Sequence, residues 1–158
     1  MPDQDEIRIR EFQISDLQEV FDLIWDTVNT CYPAVYSPEA ITYWEDIHTK
    51  EKIQNDAKTG CVLVLRKNDV IIATGTLVND RIGRVYVEPK EQGKGFGKLI
   101  MQKLQEKAKE NGLRKVILHA SLVSKKFYDS LGYETIRATF LEVKGKKLDY
   151  FDMEKAVF

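Results

Sequence analysis

Apolar and polar positions change period several times along the 158-residue chain, and each change marks an element. Ile7-Arg8-Ile9-Arg10-Glu11-Phe12 alternates with the period of a strand. Leu17, Val20, Phe21, Ile24, Trp25 and Val28 then recur at helical spacing, with Ser15 placed as a cap and Cys31-Tyr32-Pro33 as the stop. Ser37-Pro38-Glu39 opens a second helix, serine at the cap and proline at the first helical position, and Ile41, Tyr43, Trp44 and Ile47 lie along it. Residues 50–58 read as a further, more polar helical turn or two. Gly60 changes the character: Cys61 to Leu65 is a buried-strand run, Asn68-Asp69 a turn, Val70 to Val78 the next strand, and Ile82 to Val87 another, closed by Pro89. Next come a helix from about Gly97 to Asn111, a short buried strand over 116–118 and a helix from about Leu122 to Leu131. The remainder, Tyr133 to Phe158, reads as two strands joined at Lys144-Gly145-Lys146. This order predicts an α/β (α+β) three-layer sandwich, a central, mostly antiparallel mixed sheet flanked by helices. No repeat, linker or low-complexity tract divides the chain, so residues 1–158 read as one domain.

Composition narrows the function classes. Apolar residues make up 43% and charged residues 31%, an ordinary globular balance. No apolar run approaches the roughly 18 residues of a membrane span, and Met1-Pro2-Asp3-Gln4-Asp5-Glu6 is acidic rather than signal-like. Neither a membrane partner nor secretion is expected. Cys31 and Cys61 form no CxxC pair, and His48 and His119 are too few for most histidine-based metal sites. No metal is expected, and a reducing cytoplasm is the expected location. The net charge of -1 conceals a balance of -8 over residues 1–60 and +7 over residues 90–126. Such a field bears on ligands rather than on fold. The near-zero total and the lack of interleaved aromatics in the basic segment argue against nucleic acid.

The chemistry concentrates in Val85-Tyr86-Val87-Glu88-Pro89-Lys90-Glu91-Gln92-Gly93-Lys94-Gly95-Phe96-Gly97-Lys98-Leu99. A strand runs through three alternate glycines straight into a helix. Glycines let the backbone turn tightly and approach a ligand. The free amides of the helix's first turn, with the positive end of its dipole, make an anion site. Lys94 and Lys98 add full charges, which points to a phosphate or pyrophosphate. It is neither a P-loop, since Gln92 and Leu99 stand where that motif needs glycine and Ser/Thr, nor GxGxxG, since the glycines fall as GxGxG.

Gln92-Gly93-Lys94-Gly95-Phe96-Gly97 resembles the Q/R-x-x-G-x-G/A signature of the GNAT superfamily of acyl-CoA-dependent N-acetyltransferases. Lys126-Phe127-Tyr128-Asp129-Ser130-Leu131-Gly132-Tyr133 resembles that family's FYxxLGF segment, and the element order resembles its fold over essentially the whole chain. The resemblance implies acetyl-CoA as cosubstrate. It implies that the Val85-Tyr86-Val87 stretch binds the pantetheine arm and acetyl carbonyl through the backbone of Val85 and Val87. It implies that Gln92, Gly93, Lys94, Gly95, Phe96, Gly97 and Lys98 hold the pyrophosphate, and that Tyr128 protonates the leaving thiolate. A phenol is protonated at neutral pH and suits that task. Ser121 stands where many members carry a cofactor-contacting Asn; it is equally a cap for the next helix.

The general base is open among Asp80, Glu88 and His119, since an ammonium acceptor must lose a proton to a carboxylate or a histidine. Tyr32, Tyr36, Tyr43 and Trp44, with Glu45 and Asp46, read either as an acceptor site for a cationic amine or as staples holding the first helices to the sheet. The acidic first third favours a cationic acceptor. The expected reaction is acetyl transfer from acetyl-CoA to a primary amine by direct attack in a ternary complex. The competing reading is a non-catalytic acyl-CoA sensor. The oligomeric state, a homodimer included, is open.

Overall fold

The chain runs β1 (Ile7–Glu11), α1 (Leu17–Cys31), α2 (Pro38–Ile47), α3 (Lys50–Thr59), β2 (Cys61–Lys67), β3 (Val70–Val78), β4 (Arg81–Val87), α4 (Phe96–Glu110), β5 (Lys115–Ser121), α5 (Lys125–Ser130), β6 (Glu134–Val143) and β7 (Lys146–Ala156). The computed structural model describes residues 4–158; Met1, Pro2 and Asp3 of the acidic opening segment lie outside the described residues. One sheet holds all seven strands in the order β1-β2-β3-β4-β5-β7-β6. Every neighbouring pair is antiparallel except β4 and β5.

Helices cover both faces of the central strands, which is why β2 and β3 are continuous apolar runs rather than alternating ones. On one face Val20, Ile24, Val28, Trp44 and Ile53 of the first three helices pack on Val64, Ile71, Tyr86 and Leu148. On the other, Ile100, Met101, Leu104 and Ala108 of α4 pack on Leu65, Ile72, Leu77, Val116 and Leu118. Ser37 caps α2 as expected, its Oγ accepting the Ala40 amide at 3.1 Å, and the polar segment after Thr49 is a full helix.

Two helix starts differ from expectation. Ser15 does not cap α1. A short 3-10 turn precedes that helix, locked by buried Asp16, which accepts from the Gln13 amide at 2.8 Å and from both arms of Arg10 at 2.6 and 2.9 Å. Likewise Ser121 is not a helix cap. β5 runs on to Ser121, and α5 begins only after Ser124. A serine turn occupies the gap: Ser121 Oγ accepts the Ser124 amide at 3.2 Å, and the Leu122 amide donates to the Tyr36 hydroxyl at 2.7 Å. The Leu122 and Ser124 amides are thus held by side-chain oxygens, and the helical ladder begins only where the Tyr128 amide donates to the Ser124 carbonyl at 3.2 Å.

Candidate active site

The single parallel pairing in the sheet is also its weak seam. β4 and β5 meet in register only at Arg81 and Ile117, where the Ile117 amide donates to the Asp80 carbonyl at 2.9 Å. Beyond that point the strands diverge, leaving backbone groups on the facing edges of both. β4 also carries a bulge. Thr76 stands opposite Gly83 and Thr74 opposite Tyr86, so Arg84 and Val85 share the place of one residue, and Arg84 sits at φ +46°. A bulge inserts one residue and reverses the facing of the residues after it. Ile82 therefore joins the core under α4, whereas Tyr86 joins the core under α1 and α2.

At the end of β4 the glycine turn has the shape the anion reading needs. Gly93 and Gly95 sit at φ +78° and +90°, and a side chain at either would meet nothing within 4 Å. Both glycines thus serve backbone conformation on an open surface. Gly97 is different: it is buried inside α4, where a Cβ would stand 3.0 Å from the Phe127 ring. Gly95 is the N-cap of α4 and offers no side chain to the first-turn amides, which stay free for an anion. Lys98 is exposed on that turn beside half-buried Phe96. Lys94 is paired with Glu91 at 3.1 Å. Gln92 faces back toward the strand and donates to the Val87 carbonyl at 2.9 Å, tying loop to strand. These features fit a pyrophosphate: an open left-handed turn, unclaimed amides and flanking lysines.

The diverging strands open a cleft of about 590 Å³ on the α1–α2 side. Val85, Tyr86, Ser121, Tyr128, Asp80 and His119 all line it. Glu88 does not; it lies past the far end of β4, its amide donating to the Ile72 carbonyl at 2.8 Å. Tyr128, 5% exposed, rises from α5 with its ring against Phe127 and Tyr133, centroids 5.1 and 5.7 Å away. Burial, reinforced by the neighbouring Tyr32 and Tyr133, holds its phenol protonated well above the ordinary range. Among the described residues no cluster of three or more His, Cys, Asp and Glu is placed to hold a metal.

A polar network under the cleft was not foreseen. Arg84 donates to Asp56 at 2.8 Å, to the Ile47 carbonyl, and to His48 Nδ1 at 2.6 Å. A guanidinium can only donate, so Nδ1 accepts and the neutral ring carries its proton on Nε2. Nε2 then donates to the Tyr86 hydroxyl at 2.6 Å. The Tyr32 hydroxyl lies close enough to those of Tyr86 and Ser121 to interact with both. Gly83 is the one residue nearby that could signal an irregular strand, and nothing local marks the bulge that swings Arg84 onto His48.

Burial, with the positive charges of Arg84 and Lys52, lowers the His48 pKa to about 3. An unfolded chain protonates its histidine near pH 6.5. Below that pH the unfolded state takes up a proton that the native site refuses. Stability therefore falls by about 1.4 kcal/mol per pH unit between about pH 6.5 and pH 3. Urea midpoints measured from pH 7 to pH 5 should decline less steeply in His48→Gln than in the parent chain. Parallel declines would assign the acid sensitivity to other groups.

The acceptor side divides between the two readings of its aromatics. Tyr32, Tyr43 and Trp44 line the cleft. Tyr36 is a staple: its hydroxyl donates to the Asp149 carbonyl at 2.6 Å while accepting the Leu122 amide. Glu45 and Asp46 do not line the cleft, and of the described acids in residues 4–60 only Asp56 does, paired with Arg84. The acidic third is surface rather than cleft wall, because amphipathic helices turn their charged side chains to solvent.

The acetyltransferase (GNAT) domain family matches residues 33–157. Over 93 residues the chain is 27% identical to an uncharacterized acetyltransferase of Streptococcus pyogenes, covering 56% of this chain and 64% of that protein. The chain thus spans just under two thirds of the length of that relative. A GCN5-related N-acetyltransferase from Rhodopseudomonas palustris superposes with a TM-score of 0.86 at 19% identity, covering 94% of each chain. The PaiA N-acetyltransferase of Thermoplasma acidophilum, solved in complex with coenzyme A, superposes with a TM-score of 0.77 at 21% identity, covering 96% of this chain and 99% of that one. At those identities the two structures speak to the fold, whereas the family match spans both the glycine turn and the Tyr128 segment: this chain belongs to the GNAT acetyltransferase family.

Proposed function

We propose that the chain transfers an acetyl group from acetyl-CoA to a primary amine by direct attack in a ternary complex, with Tyr128 as the acid. The observation that carries this reading is that the Tyr128 phenol lines the cleft where β4 and β5 part, with no hydrogen-bond partner for its hydroxyl among the described residues. Acetyl-CoA, the ligand class of the PaiA structure's coenzyme A, supplies an activated thioester. Val85 and Val87 offer backbone groups along the opening, and the amides from Gly93 to Lys98 face the pyrophosphate. Tyr128 gives its proton to the sulfur as the C–S bond breaks, which removes the cost of expelling a bare thiolate. Cys31 and Cys61 are unpaired, and neither lies at Tyr128 or in the cleft lining, so no covalent acetyl-enzyme is invoked. Unpaired cysteines also suit a cytoplasmic setting. The aromatic walls and Asp80 support a cationic acceptor; the acidic third of the chain no longer does.

The test mixes the full chain with acetyl-CoA, first alone and then with spermidine, lysine peptides and α-amino acids. Thiol should appear only with an amine present, in step with acetylated amine by mass spectrometry. Thiol release without any acceptor, together with an acetylated chain, would overturn direct attack.

A further inference from the structure

A row of three charged groups crosses the sheet beside the cleft. His119 on β5 stands directly opposite Asp152 on β7, and Asp152 directly opposite Arg137 on β6. His119 Nδ1 meets Asp152 Oδ1 at 2.6 Å, and Arg137 reaches Asp152 Oδ2 from Nε at 3.0 Å and from Nη2 at 2.8 Å. The alignment depends on a bulge in β6: register passes from Thr135 opposite Met153 to Arg137 opposite Asp152, with Ile136 as the extra residue. Without it an isoleucine would face the carboxylate. Bulges re-aim side chains in this way beside active sites.

We infer that His119, oriented by Asp152, is the general base that deprotonates the acceptor amine; this rests on the acetyl-transfer reading above. Burial opposes ionisation of Asp152, but the hydrogen bonds from Arg137 and His119 outweigh it and hold the carboxyl below its ordinary range. An ionised carboxylate only accepts, so the neutral His119 ring carries its proton on Nδ1, and that tautomer presents a lone pair at Nε2. Nε2 has no partner among the described residues, and the ring lines the cleft with its edge against Tyr150, centroids 5.4 Å apart. Position separates it from the other candidates. Asp80 sits at the joined end of β4 and β5, and Glu88 lies outside the cleft; His119 is two residues into the opening, on the strand that ends at Ser121. Tyr43 from α2 and Arg81 from β4 line the same cleft. The side chains of His119, Asp152 and Arg137 are 46%, 24% and 64% exposed, and pairs so open add little stability, so a purely structural purpose explains the row poorly.

The proton balance closes. His119 Nε2 takes one proton from the ammonium, and the freed nitrogen forms the C–N bond as C–S breaks. The second proton lost by that nitrogen restores the Tyr128 phenolate left once sulfur is protonated, and His119 releases the first to solvent, so the net reaction frees one proton.

The test compares primary amines, which arrive protonated, with hydroxylamine, which is already a free base at neutral pH. His119→Ala should lose about 100-fold in kcat with spermidine, lysine peptides or α-amino acids, within the usual range for a general base, and about 3-fold with hydroxylamine. Calorimetry should show unchanged coenzyme A affinity. In the free parent chain, nitrogen NMR of the ring should report the proton on Nδ1; Asp152→Leu should mix the tautomers and lower the primary-amine rate about 10-fold. Equal losses with both nucleophile classes, or a proton found on Nε2, would overturn the assignment. So would a parent chain that acetylates hydroxylamine and no primary amine. A parent chain that binds coenzyme A and transfers to neither class would instead overturn the acetyl-transfer reading beneath it.

Discussion

Gly95→Val should raise the dissociation constant for coenzyme A about 100-fold, equivalent to about 2.7 kcal/mol, while the protein stays folded. Gly95 holds φ +90° at the cap of α4, a conformation in which a β-branched residue is a genuine outlier. To relieve it, the turn must rotate the amides proposed to hold the pyrophosphate. Fold and ligand separate cleanly at this position because the new Cβ meets nothing within 4 Å. α4 meanwhile stays anchored by Ile100, Met101, Leu104 and Ala108, all fully buried. Gly97→Val would not make this separation, since its side chain would collide with Phe127 and Val87 inside the core. Calorimetric titration with coenzyme A, beside a thermal melt, reads both quantities. An unchanged affinity in a folded Gly95→Val variant would remove the cofactor from this turn.

Much of this architecture was legible because it is local. Alternation, helical apolar spacing and continuous apolar runs located the strands and the longer helices, and Ser37-Pro38 marked a cap that the structure keeps. The turn from Gln92 to Gly97 announced itself because glycines at that spacing have few other uses. What stayed hidden depends on partners far away in sequence. The bulge at Arg84 is a property of β4 against β3, and it decides that Tyr86 faces the cleft. The extra residue at Ile136 is a property of β6 against β7, and it brings Arg137 to Asp152. His48, which carried no signal beyond the histidine count, gains its role only when the end of α2 lays it beside Arg84 and Tyr86. α5 starts at Lys125 rather than Leu122 because β5 runs on to Ser121 and a serine turn fills the gap, where the Leu122 amide bonds Tyr36, 86 residues earlier in the chain. The charge of the first third could be counted, but not where its side chains face, because a residue count carries no direction.

Tyr128→Phe should lower kcat for acetyl transfer by roughly 10- to 1,000-fold, at or just below the usual effect of a general acid, and leave KM for acetyl-CoA nearly unchanged. The substitution keeps the ring that packs on Phe127 and Tyr133 and removes a hydroxyl that bonds to no described residue, so the fold loses nothing. An interaction made only as charge develops on sulfur lowers kcat and kcat/KM together. A residue that merely shaped the pocket would act on KM or on stability. A non-catalytic acyl-CoA sensor would have no kcat to lose. Acid catalysis by Tyr128 is tested most directly by the rate of thiol release from acetyl-CoA in the parent chain and in Tyr128→Phe, each saturated with the same primary amine. Turnover in the parent should drop at least about 10-fold in the variant at matched KM; equal rates in the two proteins would contradict it.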